Sequence, residues 1–324
     1  MKVVLAGGTG QVGTLLARAF QQAGHEVVVL SRRPTAAPWP VVAWDARSAG
    51  SWGAELEGSD AVINLAGRSV NCRYTTANRR AILESRVDST RAIGAAIAQR
   101  RRPPRVWLQM STATIYAHRF DAPNDEATGI IGGDERDAPD TWRFSIDVAR
   151  AWEAAIAESD TPETRKILLR AAMVMSPDRG GVFDTLLRLV RVGLGGAAAG
   201  GRQYMSWIHH ADFERAVLWL IDHDEMEGAV NLAAPNPLPN AEFMRALRSA
   251  WGIPLGLLAT AWMLELGTFA LRTETELVLK SRRVVPGRLL RSGFAFQYPE
   301  WPAAARELCQ GWRARATRAA KPGI

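Results

Sequence analysis

The chain is poor in the residues that build covalent and metal frameworks. Its 324 residues include two cysteines, Cys72 and Cys309, and five histidines. Two cysteines cannot form the disulfide lattice of a small secreted domain. No His/Cys pair shows the spacing of a zinc site, so no metal is expected. No internal repeat is visible. Nothing long enough for a leader precedes the first apolar run, and the expected compartment is a reducing cytoplasm. Ile253 to Leu271 is apolar and long enough to raise the question of a bilayer. Pro254 near its start and Glu265 in its interior favour a buried or amphipathic helix and no membrane partner.

Charge of one sign is in modest excess. The formal net charge is +7, with 47% hydrophobic and 23% charged residues, an ordinary balance for a globular protein. The densest basic run, Gln99 to Arg105, falls between a helical stretch and a strand. It reads as a solvated loop, and without an accompanying recognition motif no nucleic-acid partner is expected. An anionic cofactor would account for part of the excess.

The informative stretch is Leu5-Ala6-Gly7-Gly8-Thr9-Gly10-Gln11-Val12-Gly13. An apolar run leads into it, and apolar Val12, Leu15, Leu16, Ala19 and Phe20 at helical spacing lead out. Strand, glycine turn and helix in that order are the context of dinucleotide binding. The glycines serve a tight turn, close backbone approach to a pyrophosphate, and close helix–strand packing. The helix N-terminus offers free N–H groups and a positive dipole end to the phosphates. A second strand, His25 to Leu30, ends at Ser31-Arg32-Arg33. An acid about twenty positions past the glycines would take the ribose 2′-hydroxyl of NAD, whereas an Arg accommodates the 2′-phosphate of NADP. The acid is missing, so NADP(H) is the expected cofactor, with Ser31 and Arg32 on the 2′-phosphate. Asp45, ending a short third strand from Val41, is placed on the adenine side.

Further apolar runs follow at Asp60–Gly67, Val106–Ser111 and Lys166–Arg170, separated by helical patterns over Thr75–Gln99, one long helix or two broken ones, and over Ile146–Glu158. Strands alternating with helices of a dozen or so residues predict a Rossmann-type, doubly wound parallel sheet over residues 1–175. After about residue 175 the pattern changes. Glycine-rich segments around 180 and 193–201 precede Trp207-Ile208-His209, a helix over Ala211–Asp222 and a late strand at Ala229–Leu232. Residues 176–324 read as a smaller, mostly helical substrate lobe, with some strands returning to the main sheet.

These residues together resemble the extended, atypical short-chain dehydrogenase/reductases of the NAD-dependent epimerase/dehydratase superfamily, and within them a small epimerase-like family. The resemblance rests on Gly7-Gly8-Thr9-Gly10, Ser31-Arg32, Asn64-Leu65-Ala66-Gly67, Ser85-Arg86, Arg150-Ala151-Trp152-Glu153, Gly193 to Gly196, Gly201 to His209, and Ala234 to Pro237. Residues from about 254 to 308, with Gly293-Phe294-Ala295-Phe296, look like that family's C-terminal region. The resemblance implies an NADP(H) site in which Gly7, Thr9, Gly10, Gln11 and Val12 cradle the pyrophosphate. It puts Leu65, Ala66 and Gly67 beneath the ribose or nicotinamide, and adds Arg86.

A short-chain dehydrogenase uses Tyr-x-x-x-Lys for proton transfer, the Lys⁺ favouring the phenolate. None of this chain's four tyrosines has Lys four residues on, and the matching helix reads Phe144 to Glu153 with Ala149 in the Lys region. Thr112 matches the Ser/Thr that orients the substrate oxygen, and Tyr116 is the substitute acid/base candidate. Arg202 and Trp207 are the candidate substrate contacts. His118 reads as a loop residue and His209 as structural. Two functions stand open: an NADP(H)-dependent oxidoreductase or epimerase-like enzyme on a small polar substrate, and a non-catalytic NADP(H)-gated protein with an unknown protein partner. The second gains weight from relatives that carry a cell-division-inhibitor label.

Overall fold

Strands buried on both faces need continuous apolar sequence, and the runs above supply it. Val3, Val4, Leu5 and Ala6 are wholly buried, as are Ala61, Val62 and Ile63. The computed structural model describes residues 1–136, 138–259 and 276–319. Its strands, in chain order, are β1 (Lys2–Ala6), β2 (Glu26–Ser31), β3 (Val41–Ala43), β4 (Ala61–Asn64), β5 (Val106–Thr112), β6 (Arg165–Ala171), β7 (Met173–Met175), β8 (Tyr204–Met205), β9 (Trp207–His209), β10 (Gly228–Leu232) and β11 (Leu238–Pro239). Seven form one sheet in the order β10-β6-β5-β4-β1-β2-β3. The pairs β1–β2, β2–β3, β1–β4, β4–β5 and β5–β6 are parallel. The chain winds outward from β1 to β3, then returns to β4 on the other side of β1. The crevice at such a reversal, outside the carboxyl ends of the strands, is where open α/β sheets bind ligands.

Helices supply the covering layers. In α1 (Gln11–Gln22) the buried residues are Gly13, Leu15, Leu16, Ala17 and Phe20, one stripe at helical spacing. The long pattern after residue 75 is one helix, α2 (Thr76–Ala98), whose N-cap Thr75 accepts the Asn78 N–H through its side chain. The next helix, α3 (Asp140–Ala157), starts at Asp140 rather than at Ile146, where the apolar periodicity begins. Its first turn puts an acid at the positive end of the helix, where Asp140 pairs with Arg79, and Phe144 extends its packed face toward the start.

The described chain clusters into two units: Met1–Ile115 with Arg136–Ala171 and Glu214–Val230, and Tyr116–Glu135 with Ala172–Phe213 and Asn231–Ile324. Residues 116–135 thus group with the second unit, and 214–230 with the first. The second unit contains α4 (Val182–Arg191), α6 (Asn240–Trp251) and a helix Trp301–Ala319, together with the pairs β7–β9 and β8–β11; α5 (His210–Asp222) straddles the division. Its core gathers Phe183, Leu187, Trp207, Phe243, Trp301 and Leu308. Phe243 stacks on Trp301 at 3.9 Å, and the Trp301 indole N–H donates to the Phe243 carbonyl at 2.9 Å. Most of the apolar stretch 253–271 lies outside the described residues, and its described part, 253–259, is not helical. Among the described residues, no helix is long and apolar enough to cross a membrane.

Candidate functional site

A cavity of about 1150 Å³ opens in the first unit, where β1, β2, β3 and β4 end. The glycine turn forms its floor. Gly7 has φ +75°, and a Cβ there would lie 2.8 Å from the Ala66 backbone. Gly13 is closed off in another way: its Cβ would fall 2.4 Å from Gly8 backbone atoms, so α1 packs directly on the turn. Gly10 differs from both. The nearest atom to a Cβ there is 3.9 Å away, so the glycine keeps open a space that no protein atom needs. Gly10 is also the N-cap of α1, with no side-chain cap and no acid in the first turn. The amide Nε2 of Gln11, next in line, is buried with no hydrogen-bond partner. A helix start left uncapped beside an open space fits an anionic group carrying its own acceptors. The residues present therefore fit a dinucleotide pyrophosphate.

Beyond β2, Ser31, Arg32 and Arg33 line the same cavity. Buried Ser31 shapes the turn: its hydroxyl donates to the Arg33 carbonyl at 3.1 Å and accepts the Arg33 N–H at 3.2 Å. Arg32 and Arg33 are exposed. Asp45 lines the cavity beyond β3. Its carboxylate accepts the Ser48 hydroxyl and the Ser48 and Arg47 N–H groups. These bonds, the Ser48 hydroxyl first, hold it at a pKa of about 2. Of the twelve residues expected at the cofactor, Gly7, Thr9, Gly10, Ser31, Arg32, Asp45, Leu65, Ala66 and Gly67 line the cavity, and Gln11, Val12 and Arg86 do not.

Arg86 braces the loop that lines the cavity. One guanidinium nitrogen donates to the carbonyls of Arg68 and Ile82, both at 3.0 Å, and the group lies over the Trp152 ring at 4.9 Å. Burial pulls its pKa down to about 10, which leaves it cationic at neutral pH. A Cβ on Gly67 would come within 3.2 Å of this guanidinium, so Gly67 is the residue that lets Arg86 under the loop. Sequence reasoning missed two further supports. Asn64, fully buried, donates to Gln109 Oε1 at 3.0 Å and accepts the Ala66 N–H at 3.0 Å, which orients residues 65–67. Glu153 accepts the Ser111 hydroxyl at 2.6 Å and a bidentate pair from Arg170, at 2.9 and 2.7 Å. A lone Asn inside an apolar run was the available signal for Asn64. Arg33, Arg47 and Arg68 also line the cavity and were not singled out.

The expected chemistry residues are placed differently. Thr112 does not line the cavity; its hydroxyl accepts the Thr114 N–H at 3.1 Å. Tyr116 is buried in the second unit, where its hydroxyl donates to Asn231 Oδ1 at 3.0 Å. Asn231 in turn donates to the Val285 carbonyl, and its backbone N–H to Glu126. Trp207 is corrected from substrate contact to core: it is 0% exposed and meets Trp301 edge-on at 5.0 Å. Arg202 is exposed, with its guanidinium 5.9 Å from the Phe120 ring centre. The Ala149 side chain in α3 is fully buried. His118 accepts the Ser281 N–H at Nδ1, 2.8 Å away. Burial and, next, the Lys280 charge push its pKa down.

One group among the described residues, His209, His210 and Glu307, brings potential metal-ligand atoms within 4.8 Å of one another. Both His209 nitrogens are already used. Nδ1 accepts the Ala211 N–H at 3.2 Å, so Nε2 carries the proton and donates to Glu307 at 2.8 Å. The ring stacks on Tyr298 at 3.9 Å. These contacts make His209 a packing and hydrogen-bonding residue.

A family model described as the NAD dependent epimerase/dehydratase family matches residues 3–233, and a domain of unknown function matches residues 259–308. The epimerase family protein SDR39U1 of Bos taurus is 31% identical over 312 residues, 95% of this chain and 99% of its own length. An epimerase family protein of Mycobacterium leprae is 31% identical over 299 residues, 91% of this chain and 92% of its own. Among solved structures, human SDR39U1 with NADPH superposes with a TM-score of 0.83 at 28% identity, over 96% of this chain and 99% of that one. A nucleoside-diphosphate sugar epimerase from Corynebacterium glutamicum gives 0.72 at 25% identity, over 100% of this chain and 62% of that one.

Proposed function

The chain belongs to the NAD dependent epimerase/dehydratase family, and from that premise we propose that it is an NADP(H)-binding, epimerase- or oxidoreductase-like protein acting on a small polar substrate. One observation carries the cofactor choice. The two residues that follow Ser31 at the cavity are arginines, where an NAD site has its acid. The open space at Gly10 and the uncapped start of α1 support the pyrophosphate end. That human SDR39U1 was solved with NADPH supports the same choice.

Gly7, Gly10 and the first turn of α1 would hold the pyrophosphate, Arg32 the 2′-phosphate, and Leu65 to Gly67 the nicotinamide half. The bound nicotinamide supplies hydride transfer. The protein's part is to bind and orient it, and to keep the β4 loop fixed through Asn64 and Arg86. No Tyr-x-x-x-Lys is present, so any proton moves through another group, the substrate or water. The designation of the Corynebacterium glutamicum protein makes sugar nucleotides the first compounds to screen.

Titration of the purified protein by nicotinamide fluorescence tests the reading. NADPH should bind more tightly than NADH, and Arg32→Ala should weaken NADPH at least about tenfold, the worth of one charge-assisted contact. Equal affinity for both cofactors would overturn the NADP(H) choice. The absent Tyr-x-x-x-Lys favours a second reading, a non-catalytic protein whose partner affinity follows NADP(H) occupancy. Such coupling requires differential affinity between the two states. Partner capture unchanged by saturating NADPH would exclude it.

A further inference from the structure

The Asp45–Ser48 turn is built at a cost that its role as a strand-end connection does not require. Ala46 has φ 62°, one of two non-glycine residues with positive φ among the described residues. Backbone held in that region persists where its surroundings over-determine it, and it concentrates at ligand sites. Here the surroundings are the Asp45 carboxylate. It accepts the Arg47 N–H at 2.9 Å, the Ser48 N–H at 3.0 Å and the Ser48 hydroxyl at 2.5 Å. Both oxygens are engaged within the turn, so Asp45 works as the turn's clamp. The turn also sits beside the Ser31–Arg33 turn. Ser31 is in register with Ala43, and the Trp44 N–H donates to the Ser31 carbonyl at 3.2 Å.

Asp45, Ala46 and Arg47 all line the cavity with Arg32 and Arg33. The Arg47 side chain is 71% exposed. Its ion pair among the described residues, Nε to Asp88, spans 3.7 Å, longer than a hydrogen bond. The guanidinium therefore costs little to redirect. Arg33 is exposed as well, with its backbone N–H and carbonyl tied to Ser31.

We propose that Arg47 is a second guanidinium of the 2′-phosphate subsite, acting beside Arg32, and that the clamped, left-handed turn at Ala46 serves to present it. A phosphate dianion has room for two planar forks, each giving two parallel N–H···O bonds. The inference rests on the NADP(H) reading and names a specificity residue that the glycine motif and the Ser-Arg pair do not include.

The test titrates wild type, Arg32→Ala, Arg33→Ala and Arg47→Ala with four probes: NADPH, NADH, 2′,5′-ADP and 5′-AMP. Arg47→Ala should weaken NADPH and 2′,5′-ADP about tenfold and leave NADH and 5′-AMP within about twofold, with an unchanged melting temperature. Equal weakening of all four probes, or a loss confined to Arg33→Ala, overturns the assignment. Wild type without preference for 2′,5′-ADP over 5′-AMP defeats the NADP(H) reading itself. That outcome is distinct from the case in which wild type prefers 2′,5′-ADP and Arg47→Ala does not diminish the preference.

Discussion

At the scale of single residues, the glycine turn separates two jobs that one sequence motif runs together. Gly7 is required by the fold, since its positive φ and the 2.8 Å approach to Ala66 leave no place for a side chain. Gly10 is not, because a methyl group there meets nothing closer than 3.9 Å. Gly7→Ala should therefore lower the melting temperature of the free protein, the left-handed backbone alone costing about 1–2 kcal/mol. Gly10→Ala should leave thermal stability unchanged and still abolish NADPH binding. A thermal melt and a titration on each variant read the two effects separately. Glu153 makes the complementary case. Its side chain and that of Arg170 are 13% and 12% exposed, so Glu153→Ala takes a bidentate carboxylate away from a mostly buried guanidinium. Chemical denaturation should show a loss of about 3–5 kcal/mol, well above the figure for a surface ion pair.

At the scale of elements, the β4–α2 connection depends on residues that need not touch a ligand. Asn64 holds the Ala66 N–H, and Arg86 reaches from α2 to the Arg68 carbonyl. Arg86→Lys keeps the charge but not the planar group that lies over Trp152 while one of its nitrogens bonds two carbonyls. Hydrogen exchange should quicken over residues 65–68, with a several-fold weaker NADPH affinity and little change elsewhere. This is also where sequence reading stops short. The strands were legible because burial on both faces demands unbroken apolar runs, and the glycine turn because φ and close approaches at Gly7 and Gly13 admit no other residue while Gly10 keeps a space open. The contacts of Arg86 were not legible, since a side chain's direction off a helix depends on which neighbour leaves room, here Gly67 and Trp152. Trp207 was misassigned for a related reason. A tryptophan beside a glycine-rich loop has the composition of a binding surface, and only the packing of Trp301 and Phe243 shows it to be core. Asp45 was singled out for the adenine side, but the turn it clamps was not, because left-handed alanine leaves no compositional trace.

At the scale of the whole molecule, acid should act in two stages. Burial, with His210 adding to it, holds the His209 pKa below 6.5, despite the hydrogen bond to Glu307 that opposes the shift. The unfolded chain then binds the proton more readily, so stability is full above pH 6.5 and falls as pH drops below it. Asp184 responds lower down. Burial raises its pKa, but the Gly180 N–H, the Trp312 indole and Arg188 together outweigh burial and hold it under 3.8. Its contribution is present above 3.8 and is lost as pH falls through the depressed value. Melting temperatures from pH 8 to pH 3 should show both declines, and His209→Gln should flatten only the first. The interleaving of the two units has a consequence for biosynthesis. The strand β10, neighbour of β6, is made only after residues 172–227 have left the ribosome. At roughly 5–20 residues per second that is about three to ten seconds, during which the nascent sheet offers an unpaired edge to any other chain. A fragment ending at residue 175 would live permanently in that interval, and it should aggregate more readily than the 324-residue chain.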